Sequence, residues 1–335
     1  MKTITLALQG GGTHGAFTWG VLDRLLADER IAIEAISGTS AGAINGALLA
    51  CGMSEGGRDG ARRLLRRFWW HLADVSRLSP LQPTPLDRAL SGWGVQYSPV
   101  YQWVEAVTRL LSPYHLNPLG IDPLRAMLRS VIDFERLATS PVRLFVSATD
   151  VRSGKVRVFL PDEVTEDVVL ASSCLPNLTR AVEIDGRAYW DGGYVANPAI
   201  HPLVHRAAAT EVVIVQVNPI GGRPMPVLAE DILHRINEIS FNASVMREMH
   251  ALAYLTRLDD AGWIAPEAKV RRTHIHMIAD EELMAGLHAS SKFNAEPAFI
   301  DLLFDAGTQA AGSWLAAHYD DLGRTSTIDI NEVYL

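Results

Sequence analysis

Two cysteines, Cys51 and Cys174, are all that this 335-residue sequence holds. That is too few for a disulfide framework, and their spacing fits no metal-ligand set, so both are expected as buried free thiols. Basic charge is also in short supply: 30 Lys and Arg stand against 38 Asp and Glu, for a formal net charge of −8. Without a basic stripe, nucleic acid is not an expected partner, and attraction to an anionic lipid surface is weak, so any membrane contact has to be apolar. Long apolar runs are missing too. Met1-Lys2-Thr3 leads into a short strand pattern and then Gly10-Gly11-Gly12, too brief for a signal-peptide core or a membrane span, so a cytoplasmic location is expected. There is no internal repeat and no low-complexity tract. With 48% hydrophobic and 20% charged residues, the composition is that of a folded globular chain with one large core.

What is present is alternation. Residues 3–9 read as a strand, Gly10 to Gly12 as a punctuating loop, and Ala16 to Leu26 as an amphipathic helix. Ile31 to Ile36 reads as a second strand, and Gly38-Thr39-Ser40-Ala41-Gly42 turns it into a small-residue helix ending near Cys51-Gly52. Two consecutive βα units predict an α/β fold: three layers, with a mostly parallel central sheet, helices on both faces, and ligands at the carboxyl ends of the strands. From about 56 to 130 the pattern changes to helices separated by Pro-rich turns and rich in aromatics, a cap-like insertion. Leu144 to Ala148 reads as strand, Val156 to Leu160 as its hairpin partner, Ala188 to Trp190 as a strand entering Asp191-Gly192-Gly193, and Val212 to Val217 as strand. From about Leu228 the pattern is helical, with a short strand at Thr273 to Ile278 and a closing helix from Pro297 to Tyr319. The expected division is a core over 1–220, including the insertion, and a mainly helical extension over 221–335 packed on it.

Gly38-x-Ser40-x-Gly42 stands between a strand and a helix, where a sharp turn lifts a serine hydroxyl clear of the backbone; the flanking glycines avoid collisions. Gly10-Gly11-Gly12-Thr13-His14-Gly15 also satisfies the GxGxxG pattern of a dinucleotide site. That reading needs an acid at the end of the second strand, which ends instead in Ser37-Gly38, with its only acid, Glu34, near the start. The glycines suit an oxyanion hole better, because backbone N–H groups unobstructed by side chains can converge there on a developing negative oxygen. Asp191-Gly192-Gly193 places a carboxylate at a strand end before a tight turn.

In that order, glycine loop, GxSxG and DGG resemble the patatin-like phospholipases, and the likeness runs from residue 3 to about 220. It includes Ala171-Ser-Ser-Cys-Leu-Pro176 ahead of the DGG strand, and the C-terminal third looks like the extension of one bacterial branch of that family. The resemblance implies a serine acyl hydrolase of lipid carboxylic esters, with a phospholipid or lysophospholipid as substrate. It also implies a Ser40–Asp191 dyad without histidine, an oxyanion site at Gly10, Gly11 and Gly12, and supporting turns at Gly38, Gly42, Gly192 and Gly193. No cofactor or metal is implied. Many relatives carry Arg or Lys after the glycines; here Thr13-His14 stands in that place, and His14 is either a helix-start residue or a donor to the oxyanion. An acyltransferase or a hydroxyalkanoate-ester depolymerase shares this chemistry.

Other readings stay open in the sequence. A Ser-His-Asp esterase would draw its imidazole from His201, His205, His274 or His276. The same two pairs have helical and strand spacing for metal ligands, but no matching carboxylate motif. A catalytically silent lipid-binding module is the reading from another class. Trp69, Trp70, Trp93 and Trp103 either pack the insertion's own core or form an acyl-chain wall or lid, through which a transient membrane contact is expected. Oligomeric state is not legible.

Overall fold

The computed structural model describes residues 1–77, 79, 81–90, 92–221, 225–227, 229–265 and 271–335, with backbone only at 230. The chain opens with β1 (Lys2–Leu8), α1 (Gly15–Ala27), β2 (Ile31–Gly38) and α2 (Ala41–Ser76). The insertion follows as α3 (Pro85–Leu90), α4 (Pro99–Leu110), α5 (Pro113–Leu116), α6 (Pro123–Val131) and α7 (Phe134–Leu137). Then come β3 (Arg143–Asp150), β4 (Val156–Phe159), α8 (Glu166–Ser172), β5 (Val182–Ile184), β6 (Arg187–Asp191), α9 (His201–Arg206) and β7 (Glu211–Val215). The last third holds α10 (Ala229–Asp260), β8 (His274–Ile278), α11 (Glu281–Gly286), α12 (Pro297–His318) and α13 (Ile330–Tyr334). The expected helical start near Leu228 lies outside the described residues.

The eight strands form one sheet in the order β5-β6-β3-β2-β1-β7-β8, with β4 paired to β3 off that path. The pairs β3–β2, β2–β1, β1–β7 and β7–β8 are parallel; β3–β4, β3–β6 and β5–β6 are antiparallel. Strand alternation sends side chains to opposite faces. Ile4, Leu6, Leu8, Ile36, Leu144, Val146, Val213 and Val215 belong to the core shared with α1, α2 and α12. Ala7, Ala35, Phe145, Val212, Ile214 and Ile275 belong to a second core with α9, α10 and α13. The three-layer expectation is met. The C-terminal stretch is mainly helical and in addition supplies β8 to the sheet.

Two elements differ from the sequence reading. The helix after Ser40 does not stop at Cys51-Gly52: α2 runs on and folds back at Gly56 and Gly57, whose φ of 60° at Gly57 no ordinary helix adopts. The fold-back works because Gly52 and Gly60 lie where any Cβ would strike the other leg's backbone. The aromatics of the insertion also divide otherwise than expected. Trp69 stacks on Trp19 at 6.5 Å and donates to Asn45 Oδ1, and Trp93 stacks on Phe299 at 5.2 Å. They pack into the main core rather than a core of the insertion's own, while Trp103 is 65% exposed. Both cysteines are buried and free. No helix among the described residues is long and apolar enough to cross a membrane.

Candidate active site

The sheet's pairing explains why two motifs 150 residues apart meet. Val146 of β3 pairs with Gly38 of β2 on one edge and Phe159 of β4 on the other, and Ala148 pairs with Asp191 of β6 and Arg157 of β4. So β2 and β6 share one edge of β3 and run toward each other, their ends opposite residues only two apart, roughly 7 Å along the strand. Ser40 follows one strand end and Asp191 closes the other. Beside them, Leu8 pairs with Gly38, so the glycine loop after β1 emerges next to the serine turn. Gly42 and Gly192 let these turns close, since a Cβ on either would strike the backbone carbonyl of Leu8 or of Ser147.

Ser40 adopts φ 54° and ψ −124°, a region that non-glycine residues occupy only when the surroundings hold them there. The hold is local: Gly42 N–H donates to Thr39 O (2.8 Å), Thr39 N–H to Leu8 O, and Thr39 Oγ1 to Ala196 O. Ser40 N–H donates to Ser172 Oγ at 2.9 Å, and that hydroxyl donates in turn to Ser147 O at 2.7 Å. Ser172 is fully buried at the end of α8 and was missed by sequence reasoning, although it lies within the Ala171-Ser-Ser segment. Ser172→Ala leaves the partly buried Ser40 N–H and the buried Ser147 carbonyl without this partner. It is expected to lower stability by about 1–3 kcal/mol and kcat by about tenfold or more with KM little changed. Thermal denaturation and steady-state ester hydrolysis check this; an unchanged kcat would remove Ser172 from the site.

Asp191 is 1% exposed. Its carboxylate accepts from Gly193 N–H at 2.7 Å, and the Ser40 hydroxyl lies close enough to lower its pKa. Burial pushes its pKa up to about 6, against the opposing pull of Gly193 N–H, the Ser40 hydroxyl and the Lys292 charge. Ser40 is half-buried between buried Thr39 and Ala41, whereas Asp191 is closed off from solvent.

The three loop glycines are not equivalent. Gly10 N–H is already donated to Asn197 Oδ1 at 2.6 Å, and a Cβ on Gly10 would lie 2.7 Å from Ser40 Cβ. The N–H groups of Gly11 and Gly12 meet no protein acceptor among the described residues. Asn218 Nδ2 donates to Gly10 O at 2.7 Å, and Gln9 Oε1 accepts from the N–H groups of Val217 and Asn218. These residues tie the loop to the end of β7. His14 stands at the start of α1, as one of the two sequence readings has it, and is buried with Nε2 on Ser291 Oγ at 2.7 Å, a brace to the C-terminal stretch.

The histidines expected for a triad do not come to Ser40. His274 and His276 face one carboxylate, Glu211, at 2.8 and 3.0 Å, a partner that sequence spacing did not reveal. Burial works against its charge, but these histidines and Gly323 N–H hold Glu211 near pKa 2. Glu211 opens β7, whose other end, Val215, pairs with Leu8; four residues of strand, roughly 13 Å, separate it from the site. His201 is exposed on α9 and faces Glu248 at 3.7 Å, and His205 is exposed on the same helix.

A family model described as patatin-like phospholipase matches residues 6–204. Among solved structures, VipD from Legionella pneumophila aligns at 14% identity and a TM-score of 0.40, over 99% of this chain and 72% of that one. A chain of the heterodimeric ExoU–SpcU complex of the Pseudomonas aeruginosa type III secretion system aligns at 15% identity and a TM-score of 0.33. That match covers 92% of this chain and 52% of the other, so the present chain spans about half of it. No curated protein matches.

Proposed function

The chain belongs to the patatin-like phospholipase family and is a lipid ester hydrolase, and from that premise we propose that it cleaves a phospholipid or lysophospholipid carboxylic ester with Ser40 as nucleophile and Asp191 as base. The observation that carries this is the buried Asp191 carboxylate, its pKa raised to about 6, at a strand end two residues along β3 from the end that leads into Ser40, whose hydroxyl is among the groups that act on it. An ordinary aspartate near pKa 4 is a weak base; one at about 6 is ionised at neutral pH yet takes a proton far more readily.

In the first step the Ser40 proton passes to Asp191 as Oγ bonds to the ester carbonyl carbon, and the carbonyl oxygen becomes an oxyanion. The N–H groups of Gly11 and Gly12 receive that oxyanion; a donor of this kind typically supplies about 3 kcal/mol. Collapse breaks the ester C–O bond, and Asp191 returns the proton to the departing alcohol. Water then gives its proton to Asp191, attacks the acyl-serine, and releases the fatty acid while Ser40 regains its hydrogen. No histidine is needed. Apolar residues of the insertion, including Trp103 and Leu110, which is 85% exposed, would rest on the lipid surface during the reaction, consistent with the chain's negative charge. The division into a core over 1–220 and an extension over 221–335 is retained as a proposal about folding units.

Acid-quenched protein incubated with a short p-nitrophenyl ester is expected to carry the acyl mass on the peptide containing Ser40. The kcat profile should be flat above pH 7 and fall about tenfold per pH below 6, as Asp191 protonates. An adduct on another residue would overturn the assignment of Ser40, and no adduct together with no labelling by a fluorophosphonate would favour a lipid-binding module.

A further inference from the structure

Lys292 belongs to none of the motifs. It lies in the Ala289–Phe293 turn ahead of α12, about a hundred residues beyond Asp191, yet it touches the site from two directions. Its backbone carbonyl accepts from Thr13 Oγ1 at 3.0 Å, and this same oxygen lies 2.6 Å from where a Cβ on Gly12 would stand. Its ammonium donates to Asn218 Oδ1 at 2.8 Å, and Asn218 Nδ2 holds Gly10 O. The charge also reaches Asp191 through space. The glycine loop has no fixed cation of its own: Thr13 and His14 follow it, and the His14 ring is bound to Ser291.

We propose that Lys292 is a positioning residue of the ester-hydrolysing site, its carbonyl backing Gly12, its ammonium holding the glycine loop through Asn218 and supplying a fixed positive charge to the site. This rests on the Ser40–Asp191 reading. In the resting site the negative charge is on Asp191; in the tetrahedral intermediate Asp191 is protonated and the charge has moved to the oxyanion at the glycines. A cation tied to the glycine loop through Asn218 and acting on Asp191 through space bears on both states. Because it is anchored to the glycine loop and reaches Asp191 only through space, it favours the later one, which is the condition for lowering the barrier.

Lys292→Gln keeps an N–H donor for Asn218 and removes the charge, and Lys292→Arg keeps the charge; both leave the backbone carbonyl in place. Hydrolysis of a short p-nitrophenyl ester from pH 5 to 9 is expected to show kcat of the Gln variant 10- to 100-fold lower. Its acid limb should move up by about 0.5–1 in pH, since Asp191 loses a neighbouring cation. The Arg variant should stay within about fivefold of the parent with its limb in place. Lys292→Met serves the same comparison if the Gln variant does not fold. A Gln variant with parental kcat and limb, or an Arg variant as impaired as Gln, overturns the proposal. Asp191→Asn measured alongside separates the two ideas: if it is inactive while Lys292→Gln is normal, only the role of Lys292 falls, whereas an active Asp191→Asn removes the dyad itself.

Discussion

Asp191→Asn is expected to lower kcat on the order of 10⁴-fold and, at pH 8, to make the protein more stable. The two effects have one cause. Asn keeps the shape and can still accept from Gly193 N–H, but it takes no proton from Ser40. The folded-state pKa of Asp191 is about 6, above its ordinary 3.8. A raised carboxyl pKa favours the folded state at low pH, and that contribution is lost as pH rises from about 4 through about 6, the folded protein then having to bury a charge. The difference of roughly two pH units corresponds to about 3 kcal/mol, or a few degrees in Tm for a chain of this length. Thermal melts should show the Asn variant higher by about 2–4 °C at pH 8 and level with the parent near pH 4. An equal gain at both pH values would mean that the carboxylate's burial is not its source; near-parental turnover would mean that Asp191 is not the base. Ser40→Ala should be about as inactive, and the double variant little worse than either, because the two residues act as one unit.

Gly12→Ala should reduce kcat by roughly 10²–10³, and Gly57→Ala provides its control. Both glycines have positive φ, 57° and 60°, so a Cβ brings backbone strain at each, about 1–3 kcal/mol at Gly57, where ψ is −145°. They differ in what surrounds them. At Gly57 a Cβ meets nothing within 4 Å, whereas at Gly12 it meets the Lys292 carbonyl at 2.6 Å. Relief at Gly12 requires the loop to move, and the loop's N–H groups move with it. Gly57→Ala should therefore cost stability alone, and Gly12→Ala both stability and turnover, with KM changing less than kcat. Comparable activity in the two variants would remove Gly12 from the oxyanion site.

The sequence carries the strands and the order of the motifs because both are local: alternation of apolar residues and glycine punctuation depend on near neighbours. Thus β1, β2, β3 and β7 fall within a few residues of their predicted positions, and Ser40 and Asp191 fall at strand ends. What local pattern does not carry is direction. That β6 runs against β3 and so aims Asp191 at the end of β2 depends on pairing with a strand some 40 residues earlier. The supporting groups Ser172, Asn197, Asn218 and Lys292 are scattered polar residues with no periodicity, each identified only by what it faces. Glu211 illustrates the same limit from the other side: the two alternating histidines of β8 were visible as a pair, but the carboxylate that occupies them sits on a neighbouring strand. Gly52 misled for a related reason, since a glycine that permits close packing looks like one that ends a helix.

The central position of β1 bears on the order in which the protein is made. Its partners arrive at very different times on the ribosome: β2 within thirty residues, β7 only after residue 211, and the turn that carries Lys292 later still. Because such distant pairings form slowly and leave apolar strand surface exposed meanwhile, the nascent chain holds Ser40 long before it holds the residues that surround it. On the Ser40–Asp191 reading with Lys292 completing the site, such a hydrolase stays inert toward nearby membranes until the stretch through Lys292 has been synthesised.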